Sequence, residues 1–97
     1  MIKIIVEKNI VTIKGHANYD DMGKDIVCAS VSSIVITTIN AMLLFDESSI
    51  IYEINDGFIK LEIIKETKET LVLLENMINM FKQLVKQYKK NINLNIK

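Results

Sequence analysis

Hydrophobic and polar positions along this chain change period several times, and each change marks an element. Ile2, Ile4 and Val6 alternate with Lys3 and Glu7, the two-residue period of a half-buried strand. Lys8-Asn9 reads as a turn, and Val11 and Ile13 alternate with Thr12 and Lys14 in a second strand ending near Ala17. Residues Asn18 to Lys24 are polar and close on a Gly-Lys step, so they read as a loop. Asp25 then reads as an N-cap, and the apolar run behind it as a helix to about Phe45. Asp46-Glu47-Ser48-Ser49 breaks that helix. From Ile50 to Ile64 the pattern is a hairpin, with Tyr52 and Ile54 on one face and Ile59, Leu61 and Ile63 as partners. Asn55-Asp56-Gly57 makes its turn, where Asp-Gly suits type I′. A second helix starts near Thr67. Leu71, Leu74, Ile78, Phe81, Val85 and Tyr88 recur on it at steps of three and four. Ile92, Leu94 and Ile96 alternate with Asn93, Asn95 and Lys97 in a last strand. The order ββ-α-ββ-α-β predicts an α+β fold. We expect a two-layer sandwich, one mixed sheet with two long helices packed on it.

Length bounds this to a single domain over residues 1–97 with a modest core. Apolar residues reach 49%, which argues against disorder. Twelve basic residues balance twelve acidic ones, and every basic residue is Lys. The chain has neither the excess charge nor the guanidinium forks expected of a nucleic-acid binder. With one Cys, no internal disulfide is available, which points to a reducing, cytoplasmic setting. Residues 1–7 lack the pattern of a signal peptide. Residues 26–45 carry no formal charge and are long enough to span a bilayer. However, Ser30, Ser32, Ser33, Thr37, Thr38 and Asn40 lie among them, which favours a buried core helix over a membrane span.

Two reactive residue types occur once each. His16 sits in Lys14-Gly15-His16-Ala17, at a strand end. Cys28 follows Asp25-Ile26-Val27, at a helix start. A short loop between them is able to bring an imidazole to a thiol, the minimum apparatus of a cysteine hydrolase. With Asp25 as N-cap, Cys28 is the third helical residue and lies near unpaired backbone N–H groups. A helix terminus contributes only about 0.3–1 kcal/mol to a nearby anion. Activation at neutral pH therefore rests on His16, as base or as imidazolium partner. The residues alone leave a second reading open, in which Cys28 is a small core residue and His16 is incidental. A metal site is poorly supplied, since it would need Asp20, Asp21 or Asp25 beside one His and one Cys. Asp25 itself fits a helix cap better than a third catalytic member.

Gly15-His16-Ala17, a short polar loop, then Gly23-Lys24-Asp25-Ile26-Val27-Cys28-Ala29-Ser30-Val31-Ser32 resembles the ribosomal-processing cysteine protease family (Prp, YsxB-like). The order of elements extends this resemblance over essentially the whole chain. It implies a cytoplasmic bacterial endopeptidase without a cofactor. Its substrate would be the N-terminal extension of ribosomal protein number twenty-seven of the large subunit, cut at a Phe-rich motif followed by a small residue. By position, Cys28 is the implied nucleophile and His16 the implied general base and acid. The resemblance also implies a homodimer and a loop, 18–24, mobile over the site. Asn18, Tyr19, Met22 and Gly23 are the candidate substrate-loop residues, with Gly23 as hinge. Tyr19, Met22, Val31 and Val35 are candidates for apolar substrate pockets, by proximity to the motif. The rival expectation is a non-catalytic ribosome-associated module or a small structural dimer.

Overall fold

A computed structural model describes residues 1–15 and 22–97, the side chains of residues 22–25 excepted. Its elements are β1 (Ile2–Glu7), β2 (Ile10–Lys14), α1 (Met22–Phe45), β3 (Ile50–Asn55), β4 (Phe58–Ile63), α2 (Lys68–Gln87) and β5 (Ile92–Ile96). This is the expected order. The five strands form one mixed sheet in the order β3-β4-β2-β1-β5. β5 runs parallel to β1, with Ile92 opposite Ile2, and every other pairing is antiparallel.

Period-two alternation places one row of branched residues on the helix-bearing face. Ile4 lies opposite Ile13, Val6 opposite Val11, Val11 opposite Leu61 and Ile13 opposite Ile59. All of these are buried. Facing them, α1 contributes Val27, Val31, Val35, Ile39 and Met42, each at 1% exposure or less, a stripe at steps of three and four. The helix is apolar and long enough to cross a membrane by composition, yet in the fold this stripe packs into the sheet core. Its polar residues are accommodated by local bonds. Ser30 Oγ donates to the Ile26 carbonyl and Thr38 Oγ1 to the Ile34 carbonyl, both at 2.8 Å.

α2 starts where the sequence suggests, and Thr67 caps it. Thr67 Oγ1 accepts from the Thr70 N–H at 3.1 Å, and the Thr67 N–H donates to Thr70 Oγ1 at 2.8 Å. Its buried face keeps the expected stripe except at the first position, since Ile78, Val85 and Tyr88 also pack against the core. Thr70, Leu74, Met77 and Phe81 are buried, while Leu71 is 45% exposed. The reason is that Thr70 turns inward to close the capping box and to bond the Lys65 carbonyl at 3.4 Å, which rotates Leu71 outward.

Two further expectations change. The β3–β4 turn is not type I′, because that type needs positive φ at both central residues. Gly57 has φ 74°, but among the described residues Lys8 is the sole non-glycine with positive φ, so Asp56 has none. One positive φ at the second central position is the type II pattern, which glycine satisfies. The start of α1 also moves. The helix begins at Met22, so Asp25 is its fourth residue and not its N-cap, and Met22 and Gly23 open the helix instead of closing a loop. A glycine costs little in the first turn, where N–H groups have no intrahelical partner in any case.

Candidate active site

Cys28 now stands on the seventh residue of α1, in its second turn. Backbone N–H groups that far inside a helix are paired with carbonyls four residues back. The N–H groups of residues 28 and 29 are therefore not free to act as oxyanion donors, which corrects the expectation built on an Asp25 cap. The positive end of the helix is also about a turn and a half away, beyond the range where it helps an anion strongly. The setting of the thiol has to come from neighbouring elements.

Those neighbours are well defined. Cys28, Ser32 and Ile36 follow one another at steps of four, so they share one flank of α1. That flank looks across to the β3–β4 hairpin. Between the two lies a pocket of about 150 Å³, walled by Ile13, Ile36, Ile54 and Ile59 with Cys28, Ser32 and Asn55 alongside. Cys28 is half-buried, so the thiol is open to this space and not sealed in the core. Val31 also lines the pocket, but Val35 is wholly buried under α1 and belongs to the core alone. Of the pocket residues expected from the sequence, Val31 is present and Val35 is not. Tyr19 lies outside the described residues.

Gly15 lines the same pocket as Cys28. It follows the last residue of β2, and its N–H donates to the Gly57 carbonyl at 3.0 Å, tying the strand end to the hairpin turn. Its φ is +100°, and a Cβ built on it would sit 2.5 Å from the Met1 carbonyl oxygen. Glycine is required here by backbone angle and by space together. The chain is thus delivered to the mouth of the pocket one residue before His16. His16, Asn18 and Tyr19 lie outside the described residues, so the imidazole itself has no described position.

The pocket wall supplied by Ile36 and Ile54 had no signal at its expected place in the chain. Ile54 belongs to a hairpin more than twenty residues beyond the motif. Only the antiparallel pairing of β4 with β2, Ile59 opposite Ile13, carries it to the thiol. Ser32 was visible in the motif, but its part in the pocket follows from the helical step of four.

Comparison with known proteins agrees with this geometry. The family model for cysteine protease Prp matches residues 1–93. The ribosomal processing cysteine protease Prp of Staphylococcus aureus is 30% identical over 90 residues, 90% of this chain and 85% of that protein. The Mycoplasma pneumoniae protein of the same name is 33% identical over 91 residues, 91% of this chain and 87% of that one. A crystal structure of S. aureus Prp with a covalently linked product peptide superposes with a TM-score of 0.78 at 27% identity, covering 99% of this chain and 97% of that one. Its structure with a substrate peptide gives 0.85 at 24% identity over the same shares, a likeness of fold. These findings set aside the rival of a module without chemistry. The chain is accordingly a cysteine protease, a peptide hydrolase, and belongs to the cysteine protease Prp family.

Proposed function

We propose that this chain is the endopeptidase that removes the short N-terminal extension of ribosomal protein number twenty-seven of the large subunit, with Cys28 as nucleophile and His16 as general base and acid. The observation that carries the reading is that Cys28 and Gly15, the residue next to His16, line one pocket. The relatives named as ribosomal processing proteases support the substrate class. The relative solved with a covalently linked product peptide supports a nucleophilic route.

In this mechanism His16 takes the Cys28 proton and the thiolate attacks the scissile carbonyl. The tetrahedral intermediate collapses as His16 returns the proton to the leaving amine. Water, deprotonated by His16, then hydrolyses the thioester and frees Cys28. With the N–H groups of residues 28 and 29 engaged in the helix, the Ser32 hydroxyl is the neutral side-chain donor beside the thiol suited to the oxyanion. No metal or cofactor takes part in this mechanism. The enzyme works in the cytoplasm, without binding nucleic acid directly or entering a membrane, and as a homodimer. Exposed Ile51 on edge strand β3, and Leu44 and Phe45 at the end of α1, supply apolar surface for such pairing.

The test is cleavage of a peptide carrying the extended N-terminus, read by mass spectrometry, for wild type, Cys28→Ala and His16→Ala. We expect one cut from wild type, none from Cys28→Ala, and at least a hundredfold loss for His16→Ala, with all three folded. A Cys28→Ala protein that still cuts would refute the assignment.

A further inference from the structure

The chain is neutral as a whole, but its charges are unevenly placed. Residues 76–97 hold five lysines and no carboxylate. Lys86, Lys89 and Lys90 cluster where α2 gives way to β5. All three are exposed, around a space of about 380 Å³ lined also by Gln87, Tyr88 and Asn91. The sheet adds to the same end. The Ile2 N–H donates to the Asn91 carbonyl, so β1 begins beside this turn. Lys3 follows, next to Asn93 in the parallel register and directly opposite Lys14 in the antiparallel one. Both lysines are exposed and alternate with buried Ile2, Ile4 and Ile13, so they lie on the face without helices.

Local structure explains part of this cluster only. Cations near the end of α2 suit the helix dipole, which accounts for Lys86 and its neighbours. It does not account for Lys3 and Lys14, since like charges directly opposite on a sheet are destabilising. Lys60, on the same open face, is matched with Glu53 instead. Among the described residues, Lys3, Lys14, Lys86, Lys89 and Lys90 form no ion pair. Asp56, in the hairpin turn, is the one described carboxylate at this end of the sheet, and β4 and β2 separate that turn from Lys3.

We propose that this basic end is a docking surface for an acidic segment of a partner protein. From Lys14 across Lys3 to Asn93 is two strand spacings, about 10 Å, and the chain from Asn93 back to Lys90 adds at most about 10 Å. An extended acidic segment of about six residues spans that distance. Ammonium groups are compact point charges that take a carboxylate from many directions, and the amides of Gln87, Asn91 and Asn93 are further donors beside them. A nucleic acid is served less well. The chain has no arginine fork, and Phe58 and Tyr88, half-buried on opposite sides of the patch, offer no run of faces for stacked bases. Ile2, the neighbour of Lys3, lines the Cys28 pocket, so a docked partner is held beside that pocket. The docking does not depend on the role assigned to Cys28.

Fluorescence anisotropy of a labelled octaglutamate peptide, titrated with full-length protein at low salt, tests this. Wild type should bind octaglutamate, and octaglutamine should not bind measurably. Lys3→Gln/Lys14→Gln and Lys89→Gln/Lys90→Gln should each weaken binding at least fivefold, within the range expected of two exposed charge pairs. Lys8→Gln/Lys97→Gln removes the same charge at the other end of the sheet and should stay within twofold of wild type. Relief of the like-charged pair should keep the urea midpoint of Lys3→Gln/Lys14→Gln no lower than that of wild type, which separates lost docking from lost fold. Three results would overturn the proposal: no binding of octaglutamate, equal losses in the Lys8/Lys97 variant, or tighter binding of octauridylate or phosphatidylserine vesicles.

Discussion

At the scale of single residues, Gly15 carries the sharpest constraint in the described chain. Its φ of +100° and its 2.5 Å Cβ approach to the Met1 carbonyl oxygen act together, so relief at one does not relieve the other. A left-handed backbone costs an L-residue about 1–2 kcal/mol, before any clash is counted. Gly15→Ala should therefore destabilise by at least about 1 kcal/mol in urea unfolding. Because Gly15 precedes His16 and bonds the hairpin turn, kcat should fall more steeply than stability alone accounts for. Lys8 offers the opposite case. Its φ is 55° in the β1–β2 turn, yet nothing there demands a side chain. Lys8→Gly should leave activity unchanged and raise the urea midpoint by an increment of up to about 1 kcal/mol, the strain relieved less the entropy added to the unfolded chain. At this scale the motif singles out Cys28 and His16 as the catalytic candidates. The isoleucine walls were not legible, because an isoleucine in a strand looks alike whether it faces a core or a pocket.

At the scale of elements, periodicity located every strand and both helices but not the start of α1. Strands are legible because alternation of Ile with Lys or Glu names the buried face directly. In α2 the stripe held except at its first position, Leu71. Its place against the core is taken by Thr70, a polar residue drawn inward by its bonds to Thr67 and to the Lys65 carbonyl. The contrast is measurable. Met77→Ala, at a fully buried site, should cost about 2–5 kcal/mol, whereas Leu71→Ala should stay within about 0.5 kcal/mol. A costly Leu71→Ala would restore Leu71 to the buried stripe. The corner between α1 and β3 makes a pH prediction. Asp46 accepts from Ser48 Oγ at 2.7 Å and from the Ser48 N–H at 2.9 Å, with Lys65 Nζ at 3.7 Å. The Ser48 hydroxyl, its N–H and Lys65 hold the Asp46 carboxyl below its ordinary value of 3.8. A lowered folded-state value means the contribution is present above the unfolded value and lost as pH falls through the folded one. Asp46→Asn should thus lower the urea midpoint at neutral pH, and the difference from wild type should vanish in strong acid.

At the scale of the whole molecule, the strand order was the least legible feature. Nothing local tells β5 to pair with β1, since both are short alternating segments and the parallel match joins opposite ends of the chain. That closure reaches the active site. The Ile2 N–H donates to the Asn91 carbonyl at 2.8 Å, Ile2 packs opposite Ile92, and Ile2 also lines the pocket that holds Cys28. The Met1 carbonyl just before it is the group that confines Gly15. One end of the sheet therefore holds the first strand, the last strand, the hairpin turn and Cys28 in a single packed unit. Such a unit unfolds as a whole, as small domains usually do. Ile92 is 3% exposed, and Ile92→Ala should cost about 2–5 kcal/mol. The informative readout is coincidence. Far-UV circular dichroism and peptide cleavage, followed across a urea series, should lose half their signal at the same concentration in wild type. In Ile92→Ala both midpoints should fall by the same amount. Activity lost well before helix content would instead mean that the site frays independently of β5, and that the chain ends support the fold without holding the pocket in place.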